Sequence, residues 1–384
     1  MPIHLSRAKR GKCDMNSMTA SWLVMGGAYL LVTAASVLQP YMAPRNILFG
    51  VSVPDARRED DEVVRLKRSY VSSVLGASVL IAAITIVLVM INGSSQEEQV
   101  SIWFTALPIG ALLLQLAFSG GWFVLSHSKA LRLKEERGWE AEETRKGSAA
   151  LKPRSQWQIA YPLTWFLPHL LVIAISAGAA WLFYDRIPEQ IIMHYNAQGF
   201  PDRIEEKSLW SVFQLNFVQI GMLAVFLFSN YSTQAARAKL HPDAPEEHRE
   251  QQIRYRRGIS LLMLLLGLGI VIFMGMIQAF TLYGGNQQGG ALIGVAGMIP
   301  LLLSGAAVFS LMRLGKDRIE APRPGEDGSW KAGMFYWNRN DASIFVEKRS
   351  GLGFTLNWGN PISWIFLGII IVLIIVSLII GTQN

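Results

Sequence analysis

Five polar side chains in one short segment have the types and the spacing to contact a ligand. The segment IPEQIIMHYNAQGFPDRIEEK, residues 187–207, contains a single histidine and several turn-forming residues. A histidine changes its charge near neutral pH, so a phenol, an amide, an acid and an amine close to it form a candidate ligand-contact or pH-sensing cluster. The alternative is a structured loop held by its own hydrogen bonds. The candidate residues are His194, Tyr195, Asn196, Asp202 and Lys207.

The sequence has no pattern typical of a hydrolase or of a metal site. Neither HExxH nor G-x-S-x-G occurs. The single cysteine, Cys13, excludes an internal disulfide and a cysteine-based metal site. A metal site at the histidine needs more ligands at suitable spacing, and the nearest other histidine, His169, lies in or beside an apolar segment. We therefore predict a non-enzymatic protein with no catalytic residue, no cofactor and no metal.

The composition indicates that the elements around this segment lie in a membrane. Charged residues make up 16% of the 384 residues, against roughly 25% in soluble globular proteins, and hydrophobic residues make up 51%. A span of the bilayer needs about 20 mostly apolar residues. Segments of this kind predict an all-α polytopic membrane protein of about eight transmembrane helices. The predicted spans are Met18–Leu38, Ser72–Ile91, Ile102–Leu125, Trp165–Phe183, Leu209–Phe228, Ile259–Phe280, Ala291–Leu311 and Ile362–Ile380.

The distribution of basic residues predicts the orientation of these spans. The loops after the first, third, fifth and seventh spans carry 6, 8, 6 and 8 of the 35 Lys and Arg residues. Loops rich in Lys and Arg stay in the cytoplasm. The loop 184–208 and both termini then face away from the cytoplasm. We interpret the net charge of +7 as contact with anionic lipid, not as direct binding of nucleic acid.

The amino-terminal tail, residues 1–17, conflicts with this orientation. Four basic residues precede Cys13, which is unusual for an end outside the cytoplasm. Two explanations stay open. Either the tail is not part of the natural protein, which then starts at Met15 or Met18, or the first predicted span is not a span.

Two of the basic loops carry predicted secondary structure. In the first loop, Val63, Leu66 and Tyr70 share one helical face and predict a short amphipathic helix on the inner leaflet. In the last loop, aromatic and β-branched runs at 334–337, 343–348 and 354–357 alternate with turn formers and predict a small β-meander. Tryptophans favour the membrane interface. Those of this region are Trp330, Trp337, Trp358 and Trp364.

Polar side chains inside the predicted spans keep a transport function open. Asn216 and Gln219 follow the polar loop directly and are candidates for a polar seam, with hydrogen bonds between helices as the alternative. Ion-coupled carriers usually place a carboxylate within the bilayer, which disfavours ion-coupled transport here. The polar residues of the spans are Gln115, His169, Gln214, Asn216, Gln219 and Gln278.

Two segments resemble known families. The segment 181–208 resembles domain of unknown function 1648, with its pattern I-P, H-x-N, G, P-D and K. The matching residues are Ile187, Pro188, His194, Asn196, Gly199, Pro201, Asp202 and Lys207. The segment from Tyr336 to Pro361 resembles domain of unknown function 5808, with the patterns Y-x-N-x-x-D and V-x-K-R-x-G-x-G-x-T-x-N-x-G-x-P.

The resemblance implies a multispan protein of a bacterial plasma membrane. The first family includes Sdp-type immunity proteins, which protect the cell from a secreted toxic peptide and can sequester a repressor at the membrane. The chain departs from those proteins because it carries the 5808-type segment in place of their carboxyl-terminal module. The implied partners are the lipid bilayer, a secreted peptide outside and a regulator inside.

The sequence therefore predicts immunity to, or sensing of, a membrane-active peptide, with a transporter or permease component as the alternative. The predicted parts are the tail 1–17, helices one to three at 18–164, the 1648-like region at 165–228, helices six and seven at 229–327, the 5808-like segment at 328–361, and the last helix with its tail at 362–384.

Overall fold

The computed structural model describes most of the chain. The described residues are 15–92, 97–139, 160–195, 201–236, 245–284, 296–315, 325–350, 353–365 and 367–368. Seven long helices follow one another in these ranges. They are α1 (Met15–Met42), α2 (Asp61–Asn92), α3 (Glu97–Glu136), α4 (Leu167–Leu182), α5 (Leu209–Ala235), α6 (Pro245–Tyr283) and α7 (Met298–Gly315).

The first six predicted spans are confirmed as helices that are long and apolar enough to cross a membrane. They are Trp22–Met42, Asp61–Ile91, Ala106–Glu136, Leu163–Leu182, Leu209–Ala235 and Arg249–Tyr283. The seventh prediction matches a shorter apolar helix, Met298–Ser310, and its first residues lie outside the described ranges. Of the eighth predicted span, only residues 362–365 and 367–368 are described. Residues 1–14 of the tail also lie outside the described ranges. The chain is therefore a multipass membrane protein.

The helices form two groups of three that α7 connects. α1, α2 and α3 contact one another, and so do α4, α5 and α6. α7 packs against α1, where Gly27 faces Leu301, and against α6, where Gly269 faces Leu303. Large apolar side chains such as Leu80 (61% exposed) cover the outer faces of the helices, as expected where lipid tails surround a protein.

Within the described ranges, the connections between the helices contain four antiparallel hairpins. They are β1–β2 (Ile47–Leu48 and Val51–Ser52), β3–β4 (Gln190–Tyr195 and Pro201–Glu206), β5–β6 (Trp330–Lys331 and Phe335–Tyr336) and β7–β8 (Phe345–Glu347 and Phe354–Leu356). The three predicted runs of the last loop each contain a strand. Their pairing differs from a meander, because β6 pairs with β5 and touches β8 only through the parallel bridge Tyr336–Asn357.

The predicted amphipathic helix of the first loop is wrong as a separate element. α2 starts at Asp61 and continues without a break to Asn92. Val63 and Tyr70 are buried inside the protein, against Phe49 and Phe123. This apolar stripe packs against β1–β2 and α3, and it therefore does not face lipid.

Candidate functional site

The segment of the candidate site is a β-hairpin fixed to one end of the helices. Ile187 and Ile191 are buried with Ala180 of α4, Val212 of α5 and Leu282 of α6. Ser208 then caps α5 in a capping box with Ser211, so the second strand passes directly into the helix. The prediction of a turn-rich loop missed these strands. Ile191 and Met193, two positions apart in β3, both pack against this cluster, as expected of a strand with one face on the helices.

Two of the predicted site residues lie at opposite ends of this hairpin. His194 is exposed in the distal part, opposite Arg203, where the register shifts on both sides of it. Lys207 follows β4 at the base, next to the pair Gln190–Glu206. Four strand residues span about 13 Å at a rise of about 3.3 Å each. One small ligand therefore does not contact both side chains.

Lys207 fixes the base of the hairpin. Its amine donates to the carbonyl of Ile187 at 3.2 Å and to Glu189 at 2.8 Å, and it lies 5.2 Å from the ring centre of Tyr184. The hydrogen bond to Glu189 raises the pKa of Lys207, and the nearby negative charge of Asp185 adds to this effect. The amine therefore stays protonated at neutral pH, and these contacts give it a structural role.

The other three predicted residues are only partly described. Asn196 follows β3 in the sequence and lies outside the described residues. Tyr195 and Asp202 belong to β3 and β4 by their backbone, and their side chains are outside the description. Ile204, 51% exposed, pairs with Ile192 in the middle of the hairpin. Beyond its base, the described part of the hairpin therefore presents the side chains of His194 and Ile204. The cluster of five residues stays a prediction.

The predicted polar seam is a hydrogen-bond network between α4, α5 and α6. Asn216 donates to Ser176 and to Gln219, both at 2.9 Å. Gln219 donates to the carbonyl of Val271 at 3.0 Å, and Gln278 donates to Asn216 at 2.6 Å. These bonds join three helices at membrane depth, where unpaired polar groups are costly. The alternative of bonding between helices therefore accounts for these side chains, and transport stays a prediction.

Replacing Asn216 tests this network. We expect Asn216→Leu to lower the free energy of unfolding by about 1–2 kcal/mol, because single hydrogen bonds between membrane helices contribute up to about 1.7 kcal/mol. Gln214→Leu is the matched control, since Gln214 lies on the same helix and makes only long contacts, 3.6 Å to the sulfur of Met193 and 3.5 Å to the carbonyl of Ser211. Unfolding in mixed micelles measures both. Equal losses would contradict the structural role of the network.

A second constellation, which the sequence did not predict, lies at the opposite end of the helices. We call the described part of residues 325–361 the clasp. Its Arg349, 1% exposed, donates to Glu326 at 3.0 Å, to Asp327, and to the carbonyl of Gly50 at 3.4 Å. Lys134, at the end of α3, donates to Asp327 at 2.7 Å. Two cations and two carboxylates thus lie together, with Arg349, Lys134 and Glu326 buried and Asp327 partly buried.

The loop between α1 and α2 fits into this charge cluster. Ser52 donates to Asp327 at 2.9 Å and accepts from Lys134 at 2.7 Å. His127 of α3 donates from Nδ1 to the carbonyl of Phe49 at 2.8 Å. Burial on its own would raise the pKa of Asp327, but the charges of Arg349 and Lys134 outweigh it and lower the pKa below its ordinary value. The carboxylate therefore remains ionised at physiological pH.

The clasp also contacts the second helix group. Arg256 of α6, fully buried, lies 3.7 Å from Glu347 and donates to the carbonyl of Ala236 at 2.7 Å. Phe345 makes edge contacts with Phe228 and Tyr231 near the end of α5. The clasp thus joins both groups of helices at the end opposite the β3–β4 hairpin.

The motif residues of the clasp maintain its shape. The side chain of Asn357, fully buried, accepts from the backbone of Asn338 at 3.0 Å and donates to the carbonyls of Asn338 and Asp341 at 2.8 Å. A Cβ on Gly359 would lie 2.6 Å from the backbone of Asn338. The two halves of the Y-x-N-x-x-D and N-x-G patterns are therefore bound to each other.

One of the four tryptophans contradicts the prediction of a membrane-interface position. Trp330 is 2% exposed, packs against Tyr336 and lies 5.6 Å below the guanidinium of Arg349. Trp337 and Trp364 remain 40% and 49% exposed and contact each other. Trp330 and Tyr336 form an aromatic core of the clasp, and Trp330 covers one side of the charge cluster.

Comparison with known proteins confirms the two resemblances. Residues 171–220 match the model described as Domain of unknown function (DUF1648), and residues 339–364 match the model described as Family of unknown function (DUF5808). The first match contains the β3–β4 hairpin together with Ser176, Asn216 and Gln219, and the second contains Arg349 and Asn357. No curated protein and no solved structure matches the chain. The described ranges contain no group of three or more metal-ligating side chains.

Proposed function

We propose that this integral membrane protein binds a membrane-active peptide at the outer part of the β3–β4 hairpin and transmits binding to the clasp. The observation that carries the proposal is the hairpin itself. Its base is fixed by Ile187, Ile191 and Lys207, while His194 and Ile204 stay exposed beyond it. A fixed base that presents an exposed apolar and an exposed polar side chain is suited to binding.

α5 is the element that would carry the signal. It begins directly after β4 and ends at the aromatic contacts between Tyr231, Phe228 and Phe345 of the clasp. A helix transmits a small displacement of one end to the other because its backbone hydrogen bonds keep it stiff. In this proposal the clasp is the surface that a regulator binds.

The proposed location is the plasma membrane of a bacterium. The clasp end carries buried and exposed basic residues, among them Arg254 and Arg257 on α6. Basic ends remain in the cytoplasm. The β3–β4 hairpin then faces the cell exterior, where a secreted peptide arrives, and the clasp faces a cytoplasmic regulator.

A survival assay tests the peptide-binding role. We expect expression in a sensitive Gram-positive host to protect it from at least one membrane-active peptide, and we expect His194→Ala to remove this protection. His194 is exposed, and replacements at exposed positions usually change stability little, so we expect the fold and the protein level to stay unchanged. Survival over a panel of peptides and immunoblotting of membrane fractions measure both quantities.

Arg186→Ala is the matched control. Arg186 is exposed in the same connection, its guanidinium lies 5.1 Å from the ring centre of Phe183, and it lies on the membrane side of the hairpin base. Protection should persist in this variant. If His194→Ala protects fully at a normal protein level, His194 is not part of the binding site. If the wild type gives no protection, the proposed function is rejected.

A further inference from the structure

The first helix group contains an amide without a hydrogen-bond partner at membrane depth. Gln115 of α3 is fully buried, and neither its oxygen nor its nitrogen has a partner among the described residues. The hydroxyl of Thr33 in α1 is also buried without a partner. In the second group, by contrast, the side chains of Asn216 and Gln219 bond to each other and to neighbouring helices.

Thr33 and Gln115 face the same interface between α1 and α3. The two helices run in the same direction, because the loop that follows α1 contacts the carboxyl-terminal half of α3 through His127. Ser36 and Ser119 approach each other at 3.4 Å across this interface. Thr33 precedes Ser36 and Gln115 precedes Ser119 by about one helical turn, so both lie at the next level of the same interface.

The side chains around this level are small or neutral. Ala111 and Ser119 lie one turn on either side of Gln115, are buried, and are small. One turn further along α1, Tyr29 donates to the carbonyl of Ser78 in α2 at 2.8 Å. A charged ligand would need a counter-charge, which these neutral residues do not supply. A ligand here must be small and must both donate and accept hydrogen bonds.

We propose that Gln115 and Thr33 hold a water molecule inside the first helix group. A water molecule usually makes two to four hydrogen bonds to buried polar groups, and here the amide oxygen, the amide nitrogen and the hydroxyl supply three partners. This site is independent of the β3–β4 hairpin and of any peptide. It adds a second polar connection to the α1–α3 interface, beside the hydrogen bond from Ser36 to Ser119.

Radiolytic labelling of the full chain in lipid nanodiscs tests the site. A short X-ray pulse converts bound water into hydroxyl radicals, which modify a nearby tyrosine, and mass spectrometry locates the modification. We expect Tyr29 to be labelled in the wild type and the labelling to be lost in Gln115→Leu. Thr33→Val, which keeps the shape of the side chain, should reduce the labelling as well and keeps the test valid if the first variant does not fold.

Gln219→Leu is the control, because it removes a buried amide from the other helix group and should leave the labelling of Tyr29 unchanged. An unlabelled Tyr29 in the wild type would overturn the proposal. Labelling that persists in both Gln115→Leu and Thr33→Val would also overturn it, since the water at Tyr29 would then not be held by these two side chains.

Discussion

Arg349→Ala should release the clasp from the rest of the protein. We expect hydrogen exchange of the clasp and of residues 46–53 to increase together, although these segments are far apart in the chain. Both depend on the same guanidinium, which bonds to Glu326, to Asp327 and to the carbonyl of Gly50. Hydrogen exchange with mass spectrometry of the protein in nanodiscs measures the change peptide by peptide.

The expected loss is large because the substitution removes a buried cation that bonds to two carboxylates at once. Glu326 is 7% exposed, and among the described residues Asp327 keeps Lys134 as a cationic partner. Breaking a buried ion pair by removing one partner costs about 3–5 kcal/mol. Arg349→Lys should recover only part of it, because an ammonium group cannot bond to two carboxylates in the fork geometry of a guanidinium.

The pH dependence of this effect has a defined sign. The pKa of Asp327 is lowered, so its contribution to stability is present above its ordinary value of 3.8 and is lost as the pH falls through the lowered pKa. Removal of Arg349 should raise the pKa of Asp327. The acid release of the clasp should then begin at a higher pH in Arg349→Ala than in the wild type.

Arg339→Ala is the control for Arg349→Ala. Arg339 is an exposed arginine ten positions earlier in the same segment, so its loss removes the same charge without emptying a buried site. Its exchange pattern should match the wild type. If both variants behave alike, the charge cluster does not hold the clasp, and the coupling in the proposed function loses its basis.

The spans were predictable because each depends on local composition. An uncharged apolar stretch of about 20 residues has few alternatives to a helix in a bilayer, whatever the rest of the chain does. The seam at Asn216 and Gln219 was predictable for a related reason, since polar groups inside a membrane must find partners. The partners of these side chains were not predictable, because Ser176, Val271 and Gln278 lie on other helices.

The clasp was less predictable because its contacts connect remote parts of the chain. Ser52 and Asp327 are 275 positions apart, and Gly50 and Arg349 are 299 positions apart. In sequence, Glu326 and Asp327 resemble the charges of a solvated loop. The available signal was Arg349 inside the 5808-like motif, although a motif match does not show which carboxylates an arginine contacts.

The hairpin shows the same limit on a smaller scale. The turn-forming residues of the segment indicated a reversal of the chain, which the antiparallel pairing of β3 with β4 confirms, whereas the grouping of Lys207 with His194 in one ligand-contact cluster stays a prediction. The distance between His194 and Lys207 could not be predicted while the segment was interpreted as a loop, because only strand geometry separates residues 194 and 207 so far.

Gly50→Ala should detach the loop between α1 and α2 from the clasp. Gly50 has a φ of +85°, and a Cβ there would lie 2.6 Å from the backbone of Gly333. We expect two costs. The left-handed conformation costs a residue with a Cβ about 1–2 kcal/mol, and crowding in a packed site costs about 1–3 kcal/mol more.

Gly353→Ala separates these two costs. Gly353 has nearly the same φ, +83°, and a Cβ there would meet nothing within 4 Å. This variant should therefore lose only the conformational part, and the difference in the free energy of unfolding between the two alanine variants should be about 1–3 kcal/mol. Equal losses would mean that the approach of Gly50 to Gly333 contributes nothing. A larger loss in Gly50→Ala, with increased hydrogen exchange at β1–β2 and at β5–β6, would show that backbone contact between these two glycines joins the first helix group to the clasp.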